Sequence, residues 1–186
     1  MAGEVRDRMV EGAMALLAQR GLDATSFSEV IAAHPLPRGS LYHHFPSGKE
    51  QLVGAAVDRA GVLLLAALER CAGADVEGIT LHFLAVWRTV LTRSNCESGC
   101  AVLAVTVATD SADLLAHATA VFHAWRERLV DLLRQGGLAS KPARRFATLL
   151  VASAEGAVVL SRADRNIEPF EAVAQQLVEE ARRLKG

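Results

Sequence analysis

From Val30 to Lys49 the chain has no acidic residue, although acids average about one residue in nine overall. The same stretch carries Arg38, Lys49 and three of the six histidines: His34, His43 and His44. Such a segment suits a polyanion, because a few placed donors can meet phosphate without carboxylate repulsion. Tyr42 is the only tyrosine, and its hydroxyl can donate to a phosphate oxygen. Gly39 and Ser40 are small, so the backbone there can come close to a ligand. Over residues 1–60, six Lys and Arg stand against seven Asp and Glu. Any nucleic-acid contact must therefore rest on a few groups and on avidity, not on a basic coat.

The elements that would position these residues read as helices. Val5, Met9, Ala13, Leu16 and Leu17 mark one face of a first helix, and Gly21 is placed to end it. Ser26 and Glu29 form a capping box at the head of a short second helix. His34-Pro35-Leu36-Pro37 breaks that helix, and a third runs from about Arg38 to His44. Two short helices separated by a four-residue break make a helix-turn-helix layout, whose second helix reads the major groove. Leu41 and Phe45 are assigned to its core side. Ser47 and Glu50 make a second capping box, opening a long fourth helix that reaches about Cys71. Lys49 then falls in its first turn, where a cation is unfavourable by about 0.3–1 kcal/mol; phosphate or solvent could relieve this.

Apolar residues recur at helical spacing through the rest of the chain, so the fold class expected is all-α with about nine helices. Ala101–Ala108 is apolar all round and is read as a short buried helix rather than a strand, since no partner strand is predicted. The expected division is a helix-turn-helix domain over residues 1–47 and a helical bundle over residues 48–186.

Other chemistries find little support. Cys71, Cys96 and Cys100 are an odd number, and the C-x3-C pair has no nearby residues to complete a zinc set, so buried thiols are expected. A redox role for Cys96 and Cys100 stays open. No G-x-S-x-G, H-E-x-x-H or Gly-rich phosphate loop occurs, so neither an enzyme nor a cofactor is expected. The 186 residues suffice for a core without staples, and a net charge of −1 excludes a uniformly basic surface. The longest apolar runs fall short of about 18 residues, and no cationic leader opens the chain, so a cytoplasmic location without membrane association is expected.

Pro37-Arg38-Gly39-Ser40-Leu41-Tyr42-His43-His44-Phe45-Pro46-Ser47-Gly48-Lys49-Glu50 resembles the signature of TetR/AcrR-type transcriptional repressors. Pro37 and the Pro-x-Gly-Lys-Glu run are similar to the LmrA/YxaF-like branch, as are, more weakly, Gly99-Cys100, Phe122, Trp125 and Gly136. The resemblance implies a homodimer on a palindromic double-stranded operator, released by a small effector, for which an apolar or aromatic molecule is expected. It places base-edge and backbone contacts on Arg38, Gly39, Ser40, Tyr42 and His43, and phosphate contacts on Ser26, Tyr42, His44 and Lys49. The chain departs from the family at His34-Pro35, where members usually carry Ala-Gly, so the turn must close differently.

An effector-binding wall is expected among Phe83, Trp87, Cys100, Leu103, Thr106, Val107, Phe122, Trp125 and Thr148, with His82 and His117 as further polar groups. The same aromatic stripe could equally be plain core. Small residues on the eighth helix suggest a dimer surface through Phe146, Leu150, Ser153, Ala157 and Leu160, with Val173 and Leu177 from the ninth. Intrachain packing would use such residues as well. A helical protein-interaction module, with residues 37–45 as a contact face, is the alternative to DNA binding.

Overall fold

Why these segments become helices is visible at their ends. The computed structural model describes residues 2–33 and 42–185. Among these, nine helical segments and no strand occur: α1 (Ala2–Arg20), α2 (Phe27–Ala33), α3 (residues 42–44), α4 (Lys49–Glu69), α5 (Val76–Arg93), α6 (Ala101–Ala108), α7 (Ala112–Gln135), α8 (Ser140–Asp164) and α9 (Glu168–Lys185). Gly21 ends α1 in the left-handed region, at φ +82°, with its N–H on the Leu17 carbonyl at 3.1 Å. Ser26 caps α2, its hydroxyl accepting the Glu29 N–H at 3.2 Å, while the Glu29 carboxylate turns to Arg20 at 3.0 Å. Asp75 caps α5 through the Gly78 N–H at 2.9 Å, and the Cys100 sulfur caps α6 through the Leu103 N–H. The ambiguous apolar run at residues 101–108 is thus a helix.

The box expected at Ser47 and Glu50 is replaced by another arrangement. A turn closed by Gly48 N–H on the Phe45 carbonyl carries the chain one residue further, and Gly48 adopts φ +85°. The Ser47 N–H is met by Gln51 Oε1 at 3.1 Å, and Glu50 instead accepts from Ser111 Oγ at 3.3 Å.

The chain divides into two compact units. One comprises residues up to Val62 together with Cys100–Phe122; the other comprises Leu63–Gly99 and the residues from His123 onward. The expected boundary at residues 47 and 48 is therefore not where compactness changes. The reason is packing: α6 lies on α1 and joins the N-terminal helices. The first unit buries Met9, Ala13, Leu17, Val30, Phe45, Val53 and Val57 completely. In the second, Ile79, Phe83, Leu91, Leu129, Leu133, Leu150 and Phe170 are equally buried. By length and composition alone, Lys49–Glu69 and Ser140–Asp164 could cross a membrane, a possibility not apparent from uninterrupted apolar runs. Half of each apolar window is buried inside the fold, as in core helices.

In the second unit three ion pairs stitch α5 to α9. Lys185 meets Asp75 at 2.7 Å, Arg182 meets Glu77 at 2.6 Å, and Arg88 grips Glu171 with two nitrogens at 2.6 and 2.7 Å. The Arg88 guanidinium also lies 5.7 Å from the Phe170 ring centre. Hydrogen bonds from Lys185, Arg182 and Arg88 hold the carboxyls of Asp75, Glu77 and Glu171 below their ordinary values. A lowered folded pKa contributes stability above the unfolded value and loses it as pH falls through the folded one. Thermal melts should thus show stability declining below about pH 4.5, the region where unfolded carboxyls titrate. Arg88→Met should cost about 1 kcal/mol or less at neutral pH, as exposed pairs do, and should shrink the acid-induced loss. An acid profile in R88M identical to the parent's would remove the ladder from the account.

Candidate nucleic-acid interface and effector region

Arg38, Gly39 and Ser40, with the His34-Pro35 turn, lie outside the described residues. The remaining interface candidates stand in the first unit. Tyr42 is 69% exposed, whereas Phe45, three residues later, is fully buried with the Arg6 guanidinium 5.3 Å from its ring centre. The residue that follows α3 is thereby anchored, while Tyr42 at the head of the described segment is left to solvent. His43 is exposed, His44 is half-buried, and their rings meet edge to face at 5.4 Å. Phe27, the first residue of α2, places its ring edge-on to Tyr42, with centres 5.4 Å apart and planes at 79°.

Two phosphate candidates already have work within the chain. Ser26 Oγ caps α2 and shares a hydrogen bond with Ser28 Oγ at 2.8 Å. Lys49 Nζ donates to the Leu22 carbonyl at 2.9 Å, just beyond the end of α1. This bond offsets the misfit of a cation in the first turn of α4. An ammonium carries three donors, so one spent on Leu22 is compatible with a phosphate contact. Lys49 borders a cleft of about 240 Å3 lined also by Asp23, Glu50, Thr109 and Ser111.

Within the same unit α4 and α7 meet through small residues that the sequence reading passed over. A Cβ on Gly54 would lie 3.2 Å from His117 Nε2, and one on Gly61 would lie 2.9 Å from Val121 Cγ2. Between them His117 Nδ1 meets Asp58 Oδ1 at 2.9 Å. The signal was present as two glycines seven apart on one helix face, but nothing in the sequence named the opposing residues.

The nine effector candidates do not gather in one unit. Cys100, Leu103, Thr106, Val107 and Phe122 belong to the first, and Phe83, Trp87, Trp125 and Thr148 to the second. The expectation that Val107 and Thr148 line a wall is corrected. Val107 is 74% exposed, and Thr148 is exposed on α8 with its hydroxyl on the Arg144 carbonyl at 3.0 Å. Thr106 similarly donates to its own helix, to the Val102 carbonyl at 2.8 Å. In the second unit Phe83, Trp87 and Trp125 are buried, and the two indoles meet edge to face with ring centres 6.4 Å apart. The Trp87 Nε1–H is buried and, among the described residues, has no acceptor. His82 points its Nε2 at the Ala67 carbonyl, 2.8 Å away.

On the last two helices the candidate dimer residues split by helical phase. Phe146, Leu150, Ala157 and Leu177 are buried in the chain's own core, so they cannot form a surface for a second copy. Ser153 and Val173 are half-buried, and Leu160 is exposed. The outer face of α8 instead carries Leu149, Ala152, Gly156, Val159 and Leu160. The stripe at Phe146, Leu150, Ala157 and Ser161 follows the inward side of an α-helix, and the accessible apolar face lies about half a turn away. All three cysteines are free and buried, and burial raises the Cys71 thiol pKa. Among the described residues no group of three or more His, Cys, Asp or Glu is arranged to hold a metal ion.

Comparison with known proteins gives this arrangement a context. Residues 9–56 match the model described as bacterial regulatory proteins, tetR family. Residues 76–176 match the C-terminal domain of LmrA/YxaF-like transcriptional regulators. An uncharacterized HTH-type transcriptional regulator of Mycobacterium tuberculosis is 34% identical over 181 residues, covering 92% of this chain and 91% of that one. The HTH-type transcriptional regulator LmrA of Bacillus subtilis is 27% identical, with 90% and 92% covered. The crystal structure of a TetR transcriptional regulator from Chloroflexus aurantiacus superposes with a TM-score of 0.79 at 28% identity, covering 98% and 96%. One from Legionella pneumophila reaches 0.84 at 20% identity, covering 93% and 95%.

The α4–α7 seam makes a direct prediction. Gly61→Ala should lower the thermal midpoint through overpacking worth about 1–3 kcal/mol. Helix propensity returns about 1 kcal/mol of that loss to alanine; Val121→Ala in the same chain should restore more of it, and a G61A variant stabilised by the full propensity gain would show the seam to be loose.

Proposed function

The chain belongs to the TetR family of transcriptional regulators, and from that membership we propose that it is a homodimeric repressor of a palindromic operator, released by a small effector. The observation that carries the reading is the α3 segment, where Tyr42 stands 69% exposed while Phe45, just after the segment, is fully buried. The same segment belongs to the acid-free stretch from Val30 to Lys49. In this reading Arg38, Gly39, Ser40, Tyr42 and His43 face base edges and backbone. Ser26, Tyr42, His44 and Lys49 face phosphates. Specificity then comes from the few base contacts, and affinity from phosphate contacts made twice. The cytoplasm, where operator DNA resides, is the proposed location.

A twofold partner is supported by the outer face of α8, where Leu149, Val159 and Leu160 are exposed around Ala152 and Gly156. Small residues there let two helices approach closely, and a twofold axis would make the contact self-complementary. Recognition segments in such a pair must stand about 34–36 Å apart, or a multiple of it, to meet successive major grooves. For the effector, the buried Trp87–Trp125 pair marks an aromatic part of the second unit's core that a ligand would have to open, and among the described residues the Trp87 N–H meets no acceptor. An aromatic molecule bearing an oxygen acceptor matches both features. A 100-fold loss of operator affinity needs only about 2.7 kcal/mol of preference by that molecule for the non-binding state. α4 is the element suited to carry the change, because it runs unbroken from Lys49 in the first unit to Glu69 in the second.

Selection of duplexes from a random-sequence pool, followed by footprinting, tests the reading: the enriched sequence should be palindromic and its binding strongly salt-dependent. Tyr42→Phe should weaken binding to that duplex by about 0.5–1.5 kcal/mol, the usual worth of one hydrogen bond. Leu149→Glu with Leu160→Glu should yield a helical monomer in light scattering that has lost operator affinity. A chain that enriches no sequence, or a parent that is monomeric at operator-binding concentrations, would overturn the proposal.

A further inference from the structure

We propose that Phe27 is a positioning residue for operator binding, acting through Tyr42; this rests on the operator-binding reading above. Tyr42 is the most exposed aromatic side chain among the described residues, yet its ring has a fixed neighbour. Phe27 meets it edge to face, with ring centres 5.4 Å apart and planes at 79°. In this geometry the positive edge of one ring faces the negative face of the other, so the pair has a preferred orientation that an aliphatic neighbour would not impose.

Phe27 is itself held from behind. It opens α2 directly after the Ser26 cap, whose hydroxyl takes the Glu29 N–H at 3.2 Å. Thr25, buried just before it, donates to the Gly21 carbonyl at 2.8 Å, and Glu29 pairs with Arg20 at 3.0 Å. The first turn of α2 is therefore tied to the end of α1, and Phe27 stands on a braced backbone. On the other side Phe45, buried under Arg6, fixes the chain three residues beyond Tyr42. The ring contact joins these two fixed points across the α2–α3 connection.

An exposed tyrosine without such a neighbour must give up side-chain freedom when its hydroxyl meets a phosphate, and that loss weakens binding. Phe27 restrains the Tyr42 ring before DNA arrives, so the hydroxyl is already aimed. Phe27 need touch no nucleotide itself. Removing the ring should therefore weaken the operator complex only while Tyr42 is present to be aimed.

A double-mutant cycle on the full chain reads this directly. The probe is the duplex enriched by the parent protein from a random-sequence pool, with affinity measured by anisotropy at two salt concentrations. Phe27→Leu keeps the apolar volume and should lose about threefold to tenfold in affinity, the range expected from an aromatic pair. Phe27→Tyr keeps the ring and should bind within about twofold of the parent. Tyr42→Ala should bind more weakly, and adding Phe27→Leu to it should cause no further loss. The salt slope should be the same for parent and F27L, because no cation is removed. Thermal melts accompany each variant, and affinities are compared at a temperature where all are folded. Equal losses from Phe27→Leu with and without Tyr42, or an F27L variant that binds as the parent does, would overturn the inference while operator binding stands. Failure to enrich any duplex would overturn both.

Discussion

The burial of Phe45 is the constraint on which the candidate interface depends. α2 has seven residues and the described part of α3 has three, far below the length at which a helix is stable alone in water. Such segments keep their shape only by burying side chains in a larger body. Phe45 and Val30 do so completely, in a core that also buries Met9, Ala13 and Leu17 from α1 and Val53 from α4. The orientation of Tyr42 follows from that anchoring. Phe45 lies just past α3, so its burial fixes where the segment ends, and Tyr42 at the other end stays exposed.

The second unit solves a different problem. α9 carries much charge, and its apolar stripe of Phe170, Ala174, Leu177 and Ala181 must stay packed without exposing that charge to the core. Its acids and bases are placed instead against α5, where Asp75, Glu77 and Arg88 receive them. Each pair is largely exposed and individually weak, but together they define which way α9 is turned about its axis. The same turning fixes Leu177 inward and leaves Gln175 and Gln176 exposed.

Much of this was legible beforehand, for reasons that can be named. Helical periodicity, Gly21 and the Ser26 cap are local signals, and local signals gave an all-α fold with nine segments among the described residues. The acid-free stretch nominated the candidate interface through composition, and the motif around Tyr42 nominated it through its family resemblance. The reading failed where the answer depended on partners distant in sequence. The Ser47–Glu50 box did not form because Glu50 went to Ser111, sixty-one residues away, and Gln51 met the Ser47 N–H in its place. Phe146, Leu150, Ala157 and Leu177 were assigned outward because apolar type does not tell which side of a helix faces home. Trp87 and Trp125 did come together, but the unmet indole N–H is a property of surroundings that no window of sequence contains.

Gly54 and Gly61 carry a consequence for α4 beyond steric fit. Each lowers the intrinsic helix-forming tendency by about 1 kcal/mol relative to alanine. The middle of α4 is therefore a compliant stretch splinted from outside, by His117 and Val121. Stiffness in this helix is borrowed from its neighbour, so whatever loosens the splint also softens the shaft that follows the α3 segment.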